Sequence, residues 1–259
     1  MVAELTLDDP PTRNALGVEA LTALRDELSA IGDDPTVRVV VLRATGMVFS
    51  SGANRADLAD ADAVAASTQL LGELVERIAT LRQPVLCRVN GDAYGAGLAL
   101  IAATDLSVAV RRARFALPEP RFGFVATVAA ATCARRVGLS VGLDLFLTGR
   151  RVGADEAAAA GLVTLVVDDE AALDDVVSTR INELMRGAPD ALAATKQIVR
   201  ELCSSSPGAD LELATRIAGR AGTDEQVEGI AATVERRDPA WVQPGKYEAG
   251  GVGLAGVNA

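Results

Sequence analysis

Three short segments carry residues that could stabilise negative charge and move a proton. Phe49-Ser-Ser-Gly-Ala-Asn54 is a glycine-containing turn that follows a predicted strand. The segment from Gly91 to Leu98, GDAYGAGL, follows a second strand and opens an apolar helix. Glu119 stands between Pro118 and Pro120, which fix the backbone and indicate a rigid loop. These three segments are the candidate site.

The two glycine-containing turns are suited to binding an oxyanion. Small residues at a helix start leave backbone N–H groups unpaired, and such groups favour a negatively charged oxygen. The turn after the first strand could present the N–H of Ala53, and two turns aimed at one point would form an oxyanion hole. Close packing of a buried helix is the plain alternative for the Gly91–Leu98 segment.

Two other interpretations of these turns fit less well. A dinucleotide fingerprint needs Gly or Ala at its sixth position, where this sequence has Leu100, and no suitable acidic residue follows about twenty residues on. A nucleophilic Ser50 or Ser51 would need a base, and neither a His nor a nearby Lys supplies one.

Glu119 is the candidate proton carrier. Its apolar neighbours in sequence are Phe115, Leu117, Phe122 and Phe124. Removal from water raises the pKa of a carboxyl group and makes it usable as an acid or base near neutral pH. The alternative is a glutamate that faces solvent on a loop.

The composition excludes several kinds of chemistry. The 259 residues include no histidine, which removes His-dependent nucleophile systems, His-bound zinc and imidazole acid–base catalysis. A net charge of −10 argues against a nucleic-acid or anionic-membrane partner. Three separated cysteines without a CxxC pair, and the absence of a signal peptide or an apolar run long enough for a membrane span, predict a cytoplasmic protein with free thiols.

The pattern of apolar residues predicts an α/β body followed by helices. Strands are predicted at 5–7, 37–44, 85–89, 106–110, 115–117 and 162–167. Helices are predicted at 16–31, 70–81, 95–103, 125–137, 142–147 and 154–160, and throughout the region after 171. An acidic, Ala-rich patch at 57–62 is expected to be mobile, and Thr223-Asp-Glu-Gln226 fits a capping box.

The three segments together resemble the crotonase (enoyl-CoA hydratase/isomerase) family. The resemblance rests on FSSGANRADL, VNGDAYGAGLAL and RFALPEPRFGF in this order, and on PPTRNALG, LTGRRVGADEAAAAGLVTLVV and TDEQVEGIAATVERR. It implies one unit over 1–259, with a spiral of β-β-α units to about residue 167 and a helical C-terminal region over 168–259. It also implies a homotrimer or a dimer of trimers that acts on acyl-CoA thioesters, as in fatty acid metabolism, with no metal or redox cofactor.

The resemblance also assigns roles to individual residues. It implies an oxyanion hole formed by the N–H groups of Ala53 and Ala96, with Glu119 as a catalytic acid and base. The stretch Ala53-Asn54-Arg55-Ala56 falls where relatives line the path of coenzyme A. Arg13, Arg55 and Lys246 are candidates for local positive potential around it.

One departure from the family pattern bears on the reaction. Typical hydratases carry two glutamates, and the position of the first is Ala99 in this sequence. Hydration uses one group to deprotonate water and another to protonate carbon, so a single carboxylate favours double-bond isomerisation. Thr127 stands where dienoyl isomerases carry an aspartate, which makes that branch a poorer fit.

The sequence leaves open whether the protein is an enzyme, and it leaves open the shape of the acyl pocket and the role of Asp92. An inactive family member that only binds acyl-CoA is the first alternative to an enzyme, and an interaction module without a ligand is the second. Val125-Ala-Thr127 replaces the usual Pro and Gly after the catalytic loop, which predicts a reshaped acyl pocket. Asp92 is expected to be an exposed turn residue, with a supporting acid role as the alternative.

Overall fold

The computed structural model describes residues 1–187, 189–202 and 224–237. The strands in these ranges are β1 Val2–Leu7, β2 Val39–Ala44, β3 Val48–Ser50, β4 Val85–Val89, β5 Asp92–Tyr94, β6 Leu106–Val110, β7 Arg114–Ala116, β8 Val152–Gly153 and β9 Leu165–Val167. The helices are α1 Val18–Asp33, α2 Ala61–Thr80, α3 Ala96–Ala103, α4 Thr127–Thr148, α5 Ala154–Ala159, α6 Glu170–Met185, α7 Pro189–Leu202 and α8 Asp224–Glu235. Short 3₁₀ turns lie at Pro10–Thr12, Asp57–Ala59 and Glu119–Phe122.

The strands form two sheets, and the chain alternates between them. The larger sheet is parallel, in the order β1-β2-β4-β6-β9. The smaller sheet has the order β3-β5-β7-β8, and its first three strands are parallel. Successive units β2-β3-α2, β4-β5-α3 and β6-β7-α4 each give one strand to each sheet and then a helix. This is the predicted spiral of β-β-α units.

The core lies where the larger sheet meets the helices. Every residue of β4 is buried, and β2 is buried at five of its six positions. Near-continuous apolar runs that are buried at almost every position are typical of parallel strands that are covered on both faces. All eight residues of α3 are buried, so this helix, which carries the candidate Ala96, is fixed by packing on every side.

The structure contains local elements that the sequence did not predict. The strands β3, β5 and β8 were not predicted, because segments of two or three residues carry too little periodicity. The acidic patch at 57–62 forms a 3₁₀ turn and the start of α2, where Asp60 caps the helix by accepting hydrogen bonds from the N–H groups of Asp62 and Ala63. Glu119 begins a 3₁₀ turn within its predicted loop.

The C-terminal half agrees with the prediction in outline. The two helices predicted after Val125 form one element, α4, interrupted at Gly138 by non-helical backbone. Gly161 ends α5 with a φ of +81°, as predicted for a C′ glycine. Helices α6, α7 and α8 follow, whereas Thr223 of the capping box lies outside the described residues.

Cys87 and Cys133 are buried free thiols, and Cys203 lies outside the described residues. Within the described ranges, the helices are too short or too polar to cross a bilayer.

Candidate active site

Three neighbouring strands of the small sheet deliver the candidate residues to one edge. Ala53 follows β3, Ala96 follows β5 and Glu119 follows β7, each within three residues of the strand end. The strands are parallel, with Ser50 opposite Ala93 and Tyr94 opposite Ala116. Because the carboxyl ends of parallel strands meet at the same edge of a sheet, the three segments are brought together there.

The two glycine turns are in contact with each other. Gly52 and Gly95 have φ angles of +91° and +51°, a region that glycine adopts without steric cost. A Cβ on Gly52 would lie 2.9 Å from the carbonyl oxygen of Tyr94, and one on Gly95 would lie 3.8 Å from Cα of Gly52. Glycine is therefore required at both positions by the backbone angle, and at Gly52 also by close approach.

The amides of Ala53 and Ala96 have no hydrogen-bond acceptor among the described residues. Ala53 pairs with Leu16 through its two neighbours: the carbonyl of Gly52 accepts a hydrogen bond from the N–H of Leu16, and the N–H of Asn54 donates one to the carbonyl of Leu16. The N–H of Ala53 itself takes no part in this pairing. Ala96 is the first residue of α3, where an N–H has no intrahelical acceptor. Both predicted oxyanion donors are thus free to bind a ligand.

The carboxyl group of Glu119 lies against these turns. A Cβ on Gly95 would be 2.5 Å from its Oε1. Its Oε2 is buried and has no hydrogen-bond partner among the described residues, although the residue as a whole is partly exposed. Burial raises the pKa of Glu119 to about 7, and a backbone hydrogen bond opposes that shift. The alternative of a glutamate that faces solvent is therefore wrong.

Ser50 holds the first turn, a role that the sequence did not reveal. Its hydroxyl donates a hydrogen bond to the carbonyl of Asn14 (2.8 Å) and accepts one from the N–H of Gly52 (3.2 Å). A Cβ on Gly97 would lie 2.5 Å from Cβ of Ser50, so Ser50 also packs against α3. Ser50 is fully buried and its proton is donated to the backbone, which does not suit a nucleophile.

Asn14 is the second residue that the sequence did not reveal. Its backbone is left-handed, with a φ of +55°, a conformation that Asn tolerates better than most residues. Its side-chain amide donates hydrogen bonds of 2.9 Å to the carbonyls of Thr45 and Val48, and its Oδ1 accepts one from the N–H of Asp9. Asn14 thereby anchors the segment that leads to Leu16, whose backbone pairs with the turn of Ala53.

Asp92 accepts two hydrogen bonds within the smaller sheet. Its Oδ1 accepts a hydrogen bond from the N–H of Arg114 and its Oδ2 accepts one from the hydroxyl of Tyr94, at 2.8 and 2.7 Å. Burial, together with this bond, raises the pKa of Tyr94 to about 12, and the guanidinium of Arg151 lies 5.4 Å from the ring centroid. Asp92 is a half-buried strand residue, so the prediction of an exposed turn residue was wrong.

The residues predicted along the coenzyme A path, Ala53 to Ala56, form one surface turn. Ala53, Arg55 and Ala56 are exposed, and Oδ1 of Asn54 accepts a hydrogen bond from the N–H of Ala56 (3.0 Å). The exposed residue Arg13 is tied to the same turn, because its carbonyl accepts a hydrogen bond from the N–H of Ser51 (2.9 Å). Lys246 lies outside the described residues.

A family model described as "Enoyl-CoA hydratase/isomerase" matches residues 1–244. The chain belongs to this family. A Thermus thermophilus protein provisionally named an enoyl-CoA hydratase is 36% identical over 248 residues, which are 92% of this chain and 96% of the relative. The 2,3-dehydroadipyl-CoA hydratase of Escherichia coli is 32% identical over 91% of this chain and 92% of its own.

Solved structures of this enoyl-CoA hydratase/isomerase family share the fold. An enoyl-CoA hydratase from Mycobacterium avium superposes with a TM-score of 0.84 at 32% identity, covering 93% of this chain and 94% of the other. The crotonase fold and the acyl-CoA enzyme class are therefore established for this chain. A Danio rerio relative, 31% identical over 93% of this chain and 84% of its own, is named as mitochondrial. The cytoplasmic location and the trimeric assembly stay predictions.

Ala99 is the departure of this family member from the two-glutamate pattern. It is fully buried in α3, one helical turn beyond Gly95. The N–H of Ala99 donates a hydrogen bond to the carbonyl of Gly95 (3.1 Å), so Ala99 follows the Gly95 turn by one turn of the helix. A methyl group at that place has neither a lone pair nor a proton to offer. Within the described ranges, no cluster of three or more Cys, Asp or Glu side chains could hold a metal ion.

Proposed function

We propose that this chain isomerises the double bond of an enoyl-CoA, with Glu119 as the only acid and base. The observation that carries the proposal is the buried carboxyl oxygen of Glu119, which belongs to a group packed against Gly95 next to the free amide of Ala96, in a chain where Ala99 supplies no second carboxyl group. The substrate class follows from the family, and the choice of reaction follows from the single carboxylate.

The proposed reaction converts a 3-enoyl-CoA into a 2-enoyl-CoA in two proton transfers. Glu119 as carboxylate removes a proton from the carbon between the thioester and the double bond. The electron pair of that C–H bond joins the conjugated system and places negative charge on the thioester oxygen. The amides of Ala53 and Ala96 would donate hydrogen bonds to that oxygen. Glu119 then returns the proton to the far alkene carbon, and no atom is gained or lost.

The raised pKa of Glu119 suits this sequence of steps. A pKa of about 7 leaves a large fraction of the group ionised at neutral pH, so it can accept the first proton. The protonated form is equally accessible, so the same group can deliver the proton in the second step. Hydration would need a second group to deprotonate water at the same time, and Ala99 does not supply one.

The test is a panel of 3-enoyl-CoA and 2-enoyl-CoA thioesters, read by mass and by the absorbance of the conjugated thioester. We expect the wild type to convert 3-enoyl-CoA without a change of mass, and Glu119→Gln to lose most of that activity. Glu27→Gln, at an exposed position on α1, is the matched control and should behave as the wild type. A product heavier by one water, or equal activity in Glu119→Gln, contradicts the proposal.

The same panel tests the alternative of an inactive acyl-CoA binder. Ala99 is the observation that favours it, because a lost carboxylate is also what loss of catalysis would leave. It requires tight binding of acyl-CoA by calorimetry with no turnover of any thioester in the panel. Turnover of a 3-enoyl-CoA by the wild type would exclude it.

A further inference from the structure

Helix α8 packs directly against the turn that carries Glu119. Gly229 of α8 is buried, and a Cβ added to it would overlap the carbonyl group of Phe122 and lie 2.7 Å from its Cα. Phe122 is the last residue of the 3₁₀ turn that begins with Glu119. The obstacle is backbone on both sides, so no side-chain rotation can make room for a methyl group.

Helix formation does not explain a glycine at this position. Glycine in a helix interior is less favourable than alanine, because it has more conformational freedom to lose. Gly229 lies in the middle of α8, away from either end of the helix. The close approach to the Glu119 turn is the physical reason for glycine at this position.

Backbone hydrogen bonds tie the two ends of the Glu119 turn together. The N–H of Phe124 donates a hydrogen bond to the carbonyl of Glu119 (3.0 Å), and the N–H of Gly123 donates one to the carbonyl of Pro120 (3.3 Å). The turn is also bound to the end of α4, where Nε of Arg121 donates a hydrogen bond of 2.9 Å to the carbonyl of Thr148. The turn therefore contacts both α4 and α8, and we expect a displacement of Phe122 to move Glu119 with it.

We propose that Gly229 is a positioning residue, through which α8 presses the Glu119 turn onto the Gly95 turn. This inference rests on the proposed function in that Glu119 is taken as the acid and base. Helix α8 thereby becomes part of the active-site support.

The test is Gly229→Ala, with two readouts. In steady-state kinetics we expect kcat for 3-enoyl-CoA to fall by about 10- to 100-fold with little change in KM, because misplacement of a catalytic group by about 1 Å has this effect. The coenzyme A turn at Ala53-Asn54-Arg55-Ala56 is untouched. In protein labelled with ¹³C at glutamate carboxyl groups, we expect the pKa of Glu119 to fall towards its ordinary value as the carboxyl becomes solvated.

Val227→Ile is the matched control, since it adds one carbon to the exposed face of the same helix. It should leave both readouts at wild-type values. If Gly229→Ala does not fold, the same two readouts are measured on Ala232→Gly. This variant removes a buried methyl group from α8 and adds no atom. We expect Ala232→Gly to shift both readouts in the same direction by a smaller amount.

The two readouts separate this inference from the proposed function. A folded Gly229→Ala, or failing that a folded Ala232→Gly, with the wild-type carboxyl titration of Glu119 would overturn the positioning role. A wild type without isomerase activity would refute the proposed function, while the titration would still decide whether α8 positions the carboxyl group.

Discussion

Replacing Glu119 by glutamine should stabilise the folded protein at alkaline pH and have much less effect at acidic pH. The ordinary pKa of a glutamate in the unfolded chain is 4.5, and burial raises the pKa of Glu119 to about 7. Between these values the unfolded chain has released the proton and the folded chain has kept it. The folded state therefore loses stability as pH rises through this window, and above it the full penalty of a buried carboxylate remains.

The size of the effect follows from the two pKa values. One pKa unit corresponds to about 1.4 kcal/mol, so a rise from 4.5 to about 7 corresponds to a penalty of about 3 kcal/mol above neutral pH. Glutamine carries no charge and avoids this penalty. Its amide loses hydrogen bonds to water on burial, but that cost is the same at every pH and cancels when two pH values are compared.

The assay is denaturant unfolding of the wild type and Glu119→Gln at about pH 5 and about pH 8.5, with the protein concentration held fixed. The gain in unfolding free energy from the substitution should be larger at the alkaline pH by about 2.5 kcal/mol, because part of the penalty is already present at about pH 5. Glu27→Gln, which is exposed, should show no such difference. Equal gains for Glu119→Gln at both pH values would mean that the carboxyl group is not desolvated, and the reasoning about its pKa would fail.

Three further predictions concern catalysis. The kcat/KM for isomerisation should fall as pH drops below about 7, because the base must be ionised; a flat profile between about pH 5 and 8 contradicts this. Gly95→Ala should lower kcat by about 100-fold or more, since its Cβ would meet Glu119 Oε1 at a φ of +51°; wild-type rates would contradict the close approach. Ser50→Ala should lower the free energy of unfolding by about 1–3 kcal/mol and reduce kcat more than it raises KM; an unchanged kcat would show that Ser50 does not hold the turn of Ala53.

The sequence predicted the larger sheet well and the smaller sheet poorly. Strands β2, β4 and β6 are apolar at all but one position each, and such near-continuous runs are distinctive because both faces of a parallel sheet are covered. Strands β3 and β5 have only three residues each, and their pairing depends on partners distant in sequence. The periodicity of apolar residues therefore could not predict the edge of the smaller sheet where the site lies, although the three segments of the site were predicted.

The candidate site was predicted from residue types, and its support was not. Glycine, proline and a glutamate with apolar sequence neighbours are local signals. They identified the turns of Ala53 and Ala96 and the carboxyl group of Glu119. Ser50 and Asn14 act through hydrogen bonds to backbone groups up to 36 residues away in sequence. A buried serine and a left-handed asparagine leave no pattern in the sequence that distinguishes them from surface residues of the same type.

The single carboxylate and its raised pKa support the same reaction for one physical reason. In a site with two carboxylates, like-charge repulsion contributes to holding one group protonated while the other is ionised. Here burial raises the pKa of Glu119 to about 7, and in the proposed reaction this one group serves in both states in turn. Isomerisation uses the two states in succession, on a proton that never needs to leave the site. Hydration needs both states at once, on two groups. With Ala99 enclosed in α3, the geometry fits the reaction that can be completed by one proton carrier.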